Sequence, residues 1–241
     1  MKEKVNKRID QFILETDMLF KEFLAGWTMY SIGRDNLDSV VENTAISPFV
    51  GYNQRLEPIP IVLIKKFRTG YSQFILEAYH GKLVILGNRL LNALFCILLE
   101  EHLQGTRKFV ELKTQLVKID LSSMDDLSAQ FKENCKNNFS FNKYSERLKI
   151  VNKALNPNDD GQNELGNIKK NILVRNSIQH SEGMVDDYML RELGCDKIEL
   201  ADESGKIRIY RTGDKLILSI PELYSFMSSF LFIAQKWRVK K

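Results

Sequence analysis

Leu83-Val84-Ile85-Leu86-Gly87-Asn88-Arg89-Leu90-Leu91-Asn92-Ala93-Leu94-Phe95-Cys96-Ile97-Leu98-Leu99 is the most apolar stretch of this 241-residue chain. Asn88, Arg89 and Asn92 interrupt it, and it falls short of the ~20 apolar residues that a bilayer span requires. Leu83, Leu86, Leu90, Leu94, Ile97 and Leu98 recur at steps of three and four, the period of a helix with one buried face. The stretch therefore predicts a core helix rather than a membrane span. With 44% hydrophobic residues, 27% charged residues, 13 Gly and 5 Pro, the chain can bury a sizeable core, and its scarcity of helix breakers predicts a mostly α fold. Collagen-like, low-complexity and wholly disordered classes are excluded.

The same periodicity extends outward from this helix. Residues 4–25 carry Ile9, Phe12, Ile13, Phe20, Phe23 and Leu24 at helical spacing, with Gly26 where a C-cap would stand. Residues 26–70, with Ser47-Pro48, Pro58, Pro60 and the run Ile61-Val62-Leu63-Ile64, predict an irregular excursion or a short strand. Residues 71–103 predict two helices meeting near Gly81, or one broken there. Thr106 is placed to cap a helix striped by Phe109, Leu112 and Leu116, followed by one through Leu127, Phe131 and Cys135 and one through Tyr144, Leu148, Val151 and Leu155. Asn163 is the expected cap of a helix running to His180 or Ser181 and ending at Gly183, and a short helix over 186–193 is stopped by Gly194. Residues 196–200, 206–211 and 215–219 predict three short strands. Ser219, Pro221 and Glu222 open the last helix as a capping box, with Leu218 and Leu223 as its staple.

Lys and Arg number 35 against 31 Asp and Glu, a net charge of +4. That is too small for a nucleic-acid coat protein but compatible with a local phosphate site. Cys96, Cys135 and Cys195 are scattered outside any metal or disulfide spacing, so a reducing cytoplasm is the expected compartment. The N-terminal segment lacks the apolar region of a signal peptide. His80 and His102 are read as structural or exposed residues at helix ends, and no metal or cofactor is predicted. Lys65-Lys66 with Arg68, and the terminal Lys236-Trp237-Arg238-Val239-Lys240-Lys241, are basic segments able to touch an RNA backbone, with Trp237 available for stacking.

One constellation carries chemistry: Arg175-Asn176-Ser177-Ile178-Gln179-His180. On a helix Asn176 and His180 are neighbours one turn apart, with Arg175 on their flank and no carboxylate within a turn of it. Leu165, Ile168 and Ile172 share the face of Asn176, Gln179 and His180, so an apolar stripe turns polar where a cleft would open.

This segment resembles the Arg-polar-x-x-x-His motif of the HEPN superfamily (higher eukaryotes and prokaryotes nucleotide-binding), helical domains that include metal-independent endoribonucleases of toxin, anti-phage defence and RNA-processing systems. The likeness is sharp over residues 174–183 and extends as a bundle over 83–181. It implies a HEPN-like helical bundle, expected over 81–241 together with the small antiparallel β element (about 196–219) that the sequence pattern predicts before the last helix; residues 1–80, a helix and irregular extension outside the likeness, are expected to pack on it, or the whole is one single domain. It further implies a cytoplasmic RNA endonuclease with Arg175, Asn176 and His180 as catalytic residues and Gln179, Lys169 and Lys170 as substrate contacts. Its partners would be RNA, a second copy of the chain and an antitoxin or regulatory protein. The alternative is a non-catalytic HEPN-like module that binds a nucleotide, an RNA or a protein.

Overall fold

The computed structural model describes residues 1–47, 57–112 and 126–239. The fold is mostly helical, with a two-stranded antiparallel sheet near the C-terminus before the last helix. Two long antiparallel helices, α1 (Lys2–Leu37) and α2 (Ile61–Leu103), form its spine. Met1 and Lys4 pair with Glu101 and Glu100 at one end, and the Tyr30 ring packs tilted against Tyr71 at the other. Around them pack α3 (Leu127–Phe141), α4 (Tyr144–Leu155), α5 (Gln162–His180), the short α6 (Asp187–Leu193) and α7 (Ile220–Lys236).

α2 is continuous through Gly70, Gly81 and Gly87, which corrects the expected break at Gly81. Three interior glycines cost a helix roughly 1 kcal/mol each. Leu83, Leu90, Leu91, Leu94 and Leu98 are each at least 96% buried, and full burial of one such side chain is worth about 1.5–3 kcal/mol, so tertiary packing outweighs propensity. The same core receives Val5, Ile9 and Phe12 of α1, Cys135 and Phe139 of α3, Val151 of α4, Ile168 of α5 and Phe230 of α7. Although α2 is apolar and long enough to cross a membrane by composition, these partners cover its apolar face.

Gly87 has a packing reason. A Cβ there would lie 2.5 Å from Phe230 Cζ and 2.7 Å from the Tyr144 hydroxyl, so only hydrogen lets α4 and α7 approach α2. Gly87→Ala is expected to destabilise the protein by about 1–3 kcal/mol, read from urea unfolding. An unchanged midpoint would show that Phe230 moves aside freely.

α1 likewise runs past Gly26 to Leu37, contrary to the expected cap. Phe23 and Trp27 continue its aromatic face, with Phe23 centred 5.0 Å from Tyr79 of α2. Between the two long helices, Ala45–Ile46 (β1) and Ile59–Pro60 (β2) pair antiparallel. The run Ile61-Val62-Leu63-Ile64 is the first turn of α2 rather than a strand; Pro48 and Leu116 lie outside the described residues. Thr106 starts no helix in the described stretch, since its hydroxyl donates to the Glu101 carbonyl at the end of α2. Residues 80 and 81 fall mid-way along α2.

The small sheet contains β3 (Ile198–Ala201) and β4 (Ile207–Tyr210), with Ile198 opposite Tyr210. The third expected strand, 215–219, is replaced by a single bridge between Lys215 and Met184 and by Leu216 and Leu218 buried against Val185, Met189 and Tyr210. Packing, rather than a ladder, uses its apolar residues. α7 begins as expected at Ser219, whose Oγ accepts from the Glu222 N–H at 3.1 Å. Glu222 does not close the capping box: its carboxylate turns into the molecule, accepting from the Ala201 N–H.

Candidate functional site

α5 carries every residue of the motif. It starts after Gly161, whose φ of +89° lets the chain turn in from the 156–161 loop, so Asn163 sits in the first turn and is not the cap. It ends at Ser181, where the Gly183 N–H returns to the Ser177 carbonyl and the Ser177 hydroxyl donates to the Met184 carbonyl. The last turns are thereby fixed against the segment leading to α6.

The buried side of α5 is held by a polar chain that sequence reading did not anticipate. His80, fully buried in the middle of α2, has its Nε2 3.0 Å from Asn171 Oδ1. Asn171 Nδ2 donates to Glu222 Oε1 at 2.9 Å, and Lys170 Nζ pairs with the same oxygen at 2.8 Å. Burial pulls His80 down to about 4, outweighing the hydrogen bond it donates to Asn171 Oδ1 and the charge of Glu222, which favour protonation. His80 is therefore neutral at pH 7, and it lies in mid-helix rather than at a helix end. His102 does close α2, accepting the Phe109 N–H on Nδ1. Lys170, expected as a substrate contact, is engaged in this chain and also donates to the Glu199 carbonyl.

Arg175 lies next along α5. Its guanidinium donates to Asn176 Oδ1 at 3.2 Å, while its Nε is buried without a partner. Desolvation lowers its pKa, but an arginine stays charged at pH 7, and none of its contacts among the described residues is to a carboxylate. Asn176 thus orients Arg175 and not His180. Gln179 and His180 are exposed at the helix end.

Asn176 opens into a cavity of about 110 Å³ lined also by Lys143, Tyr144, Lys169, Leu173 and Tyr188. Lys143 pairs with Glu192 at 2.9 Å, which raises the lysine pKa and lowers that of Glu192. Lys169 Nζ donates to the Glu192 carbonyl. Beneath the cavity Arg147 of α4 is buried, donating to Asn88 Oδ1 at 2.8 Å and facing the Tyr144 ring at 5.2 Å. No group of three His, Cys, Asp or Glu side chains among the described residues is arranged to hold a metal ion.

In the remaining basic segments Lys65, Arg68, Lys236 and Arg238 each have a partner, and Lys240 and Lys241 lie outside the described residues. Lys65 donates to the Val40 carbonyl and Arg68 pairs with Asp38 at 2.5 Å. Lys236 pairs with Asp160 and Arg238 with Asp10. Trp237, expected as a stacking platform, is fully buried and donates its Nε1 to Asn152 Oδ1 at 2.9 Å; its large apolar ring is worth more inside the core than at a basic end. Comparison of the chain with known protein families, with curated proteins and with solved structures finds no match.

Proposed function

We propose that the protein is a metal-independent endoribonuclease of HEPN type acting at the C-terminal end of α5. The observation that carries the reading is Arg175: a guanidinium with no carboxylate contact among the described residues, steadied by Asn176 one turn from the exposed His180. A base takes the proton of a ribose 2′-OH, the oxygen attacks the adjacent phosphorus, and an acid protonates the departing 5′ oxygen. The products are a 2′,3′-cyclic phosphate and a 5′-OH end. Arg175 stabilises the charge that builds on the phosphoryl oxygens, and His180 carries a proton.

One imidazole cannot be base and acid in the same step. His80 is buried and neutral, and His102 stands 22 residues further along α2, about 33 Å at helical rise. The second proton carrier is therefore assigned to His180 of a second copy, in a homodimer whose two α5 ends face one cleft. The cytoplasm is the matching compartment.

Purified protein incubated with RNA is expected to cut in the presence of EDTA and to leave cyclic phosphate ends. Loss of cleavage on chelation, or 3′-hydroxyl products, would overturn the reading. The second reading, a non-catalytic binding module, draws on one observation: Asn176 is engaged with Arg175, so His180 has no orienting amide. RNA bound but never cut would favour it.

A further inference from the structure

The cavity at Asn176 does not end there. Ser145 and Lys169 line it and also line a second cavity of about 320 Å³ that runs on toward Gln162 and Asp159. The two share one face of α5, with Leu165, Lys169, Leu173 and Asn176 at steps of three and four, and one wall from α4, with Ser145, Lys149 and Lys153. Lys149 and Lys153 are exposed one helical turn apart, and no ion pair or side-chain hydrogen bond engages either among the described residues. Their spacing along α4 is about 6 Å. The only carboxylate lining the second cavity, Asp159, already accepts from Asn152 Nδ2 at 2.7 Å. At the other end Tyr188 stands half exposed with Lys143 Nζ 5.9 Å from its ring centre.

A groove with unpaired cations along one wall and an accessible aromatic ring at one end is the arrangement that holds a single nucleic-acid strand. We infer that the α4/α5 groove binds single-stranded RNA leading to the Arg175/His180 end, with Lys149 and Lys153 on successive phosphates and Tyr188 stacking a base beside Asn176. The inference rests on the ribonuclease reading for the nature of the strand. It adds residues that lie outside the motif and on a different helix.

The test is binding of a short, fluorescently labelled RNA whose 2′ positions are all O-methylated, so that it cannot be cut. Anisotropy titrations across a range of salt give the slope of log K against log salt, which is about 0.7 per phosphate contact on a single strand. The Lys149→Gln/Lys153→Gln double variant is expected to lose about 1.4 from that slope. Tyr188→Ala is expected to bind on the order of 10- to 100-fold more weakly with the slope retained. An unchanged slope in the double variant, or equally tight binding of a duplex of the same length, would overturn the groove. Cleavage of ordinary RNA that depends on His180 but ignores Lys149 and Lys153 would refute the groove and leave the nuclease. Lysine-dependent binding without cleavage would refute the nuclease and leave the groove.

Discussion

His180→Ala is expected to slow RNA cleavage by about 10²- to 10⁴-fold, the range that one proton-transferring group supplies. The unfolding free energy should stay within about 0.5 kcal/mol, because His180 is exposed at the end of α5. Arg175→Ala is expected to cost about 10²- to 10³-fold in rate, as removal of one preorganised donor to a charged transition state does. Its stability effect has two opposing parts. The side chain gives up its bond to Asn176, but a buried Nε without a partner is also removed, and losing an unsatisfied buried donor relieves its desolvation cost. Arg175→Lys should recover little activity, since an ammonium lacks the planar pair of donors that matches two phosphoryl oxygens. Rates and unfolding midpoints measured on the same preparations separate the cases. Loss of several kcal/mol of stability in His180→Ala, or full activity in Arg175→Lys, would remove these residues from the chemistry.

The core helix and the motif helix were legible because each depends on local spacing. Leucines at steps of three and four between 83 and 99 predict their own burial, and Ser181 to Gly183 announces the end of α5. Helix ends that depend on a partner were not legible. Gly26 and Gly81 look like stops, yet α1 and α2 run through both, and Phe23 on one helix packs against Tyr79 on the other with ring centres 5.0 Å apart. The apolar run at 215–219 looks like a strand by composition, but Leu216 and Leu218 find their burial without a ladder partner. Trp237 sits among basic residues in sequence and against Asn152 in space.

The site shows the same division. Arg175, Asn176 and His180 could be found from one six-residue window. Lys149 and Lys153 could not, since nothing in α4 signals that its exposed lysines share a groove with α5. His80 was missed for a related reason: a single histidine in an apolar helix carries no sign of the asparagine that meets it 91 residues later.

That histidine also determines how the protein should respond to acid. His80 has an ordinary value of 6.5 and a folded-state value of about 4, lowered chiefly by burial. Between these two values the unfolded chain binds a proton there and the folded chain does not, so stability rises with pH through the window. Its contribution is fully present above about pH 6.5, falls as the pH drops below that, and by pH 4 about 3 kcal/mol has been lost. Urea unfolding at a series of pH values should show this decline. His80→Gln, which keeps a side-chain donor for Asn171 Oδ1 and cannot be protonated, should be less stable than the parent at pH 7. Its curve should converge on the parent's by about 3 kcal/mol at pH 4. Parallel curves would mean that His80 titrates alike in both states and that its burial is not what sets its charge. The consequence reaches the site, because protonating His80 places a desolvated charge in the core where α2 meets α5, a cost that the Asn171 and Glu222 contacts offset only in part. A fall in cleavage on the acid side that comes from loosening of α5 should therefore be absent from a profile measured in His80→Gln, and a fall that persists there has another source.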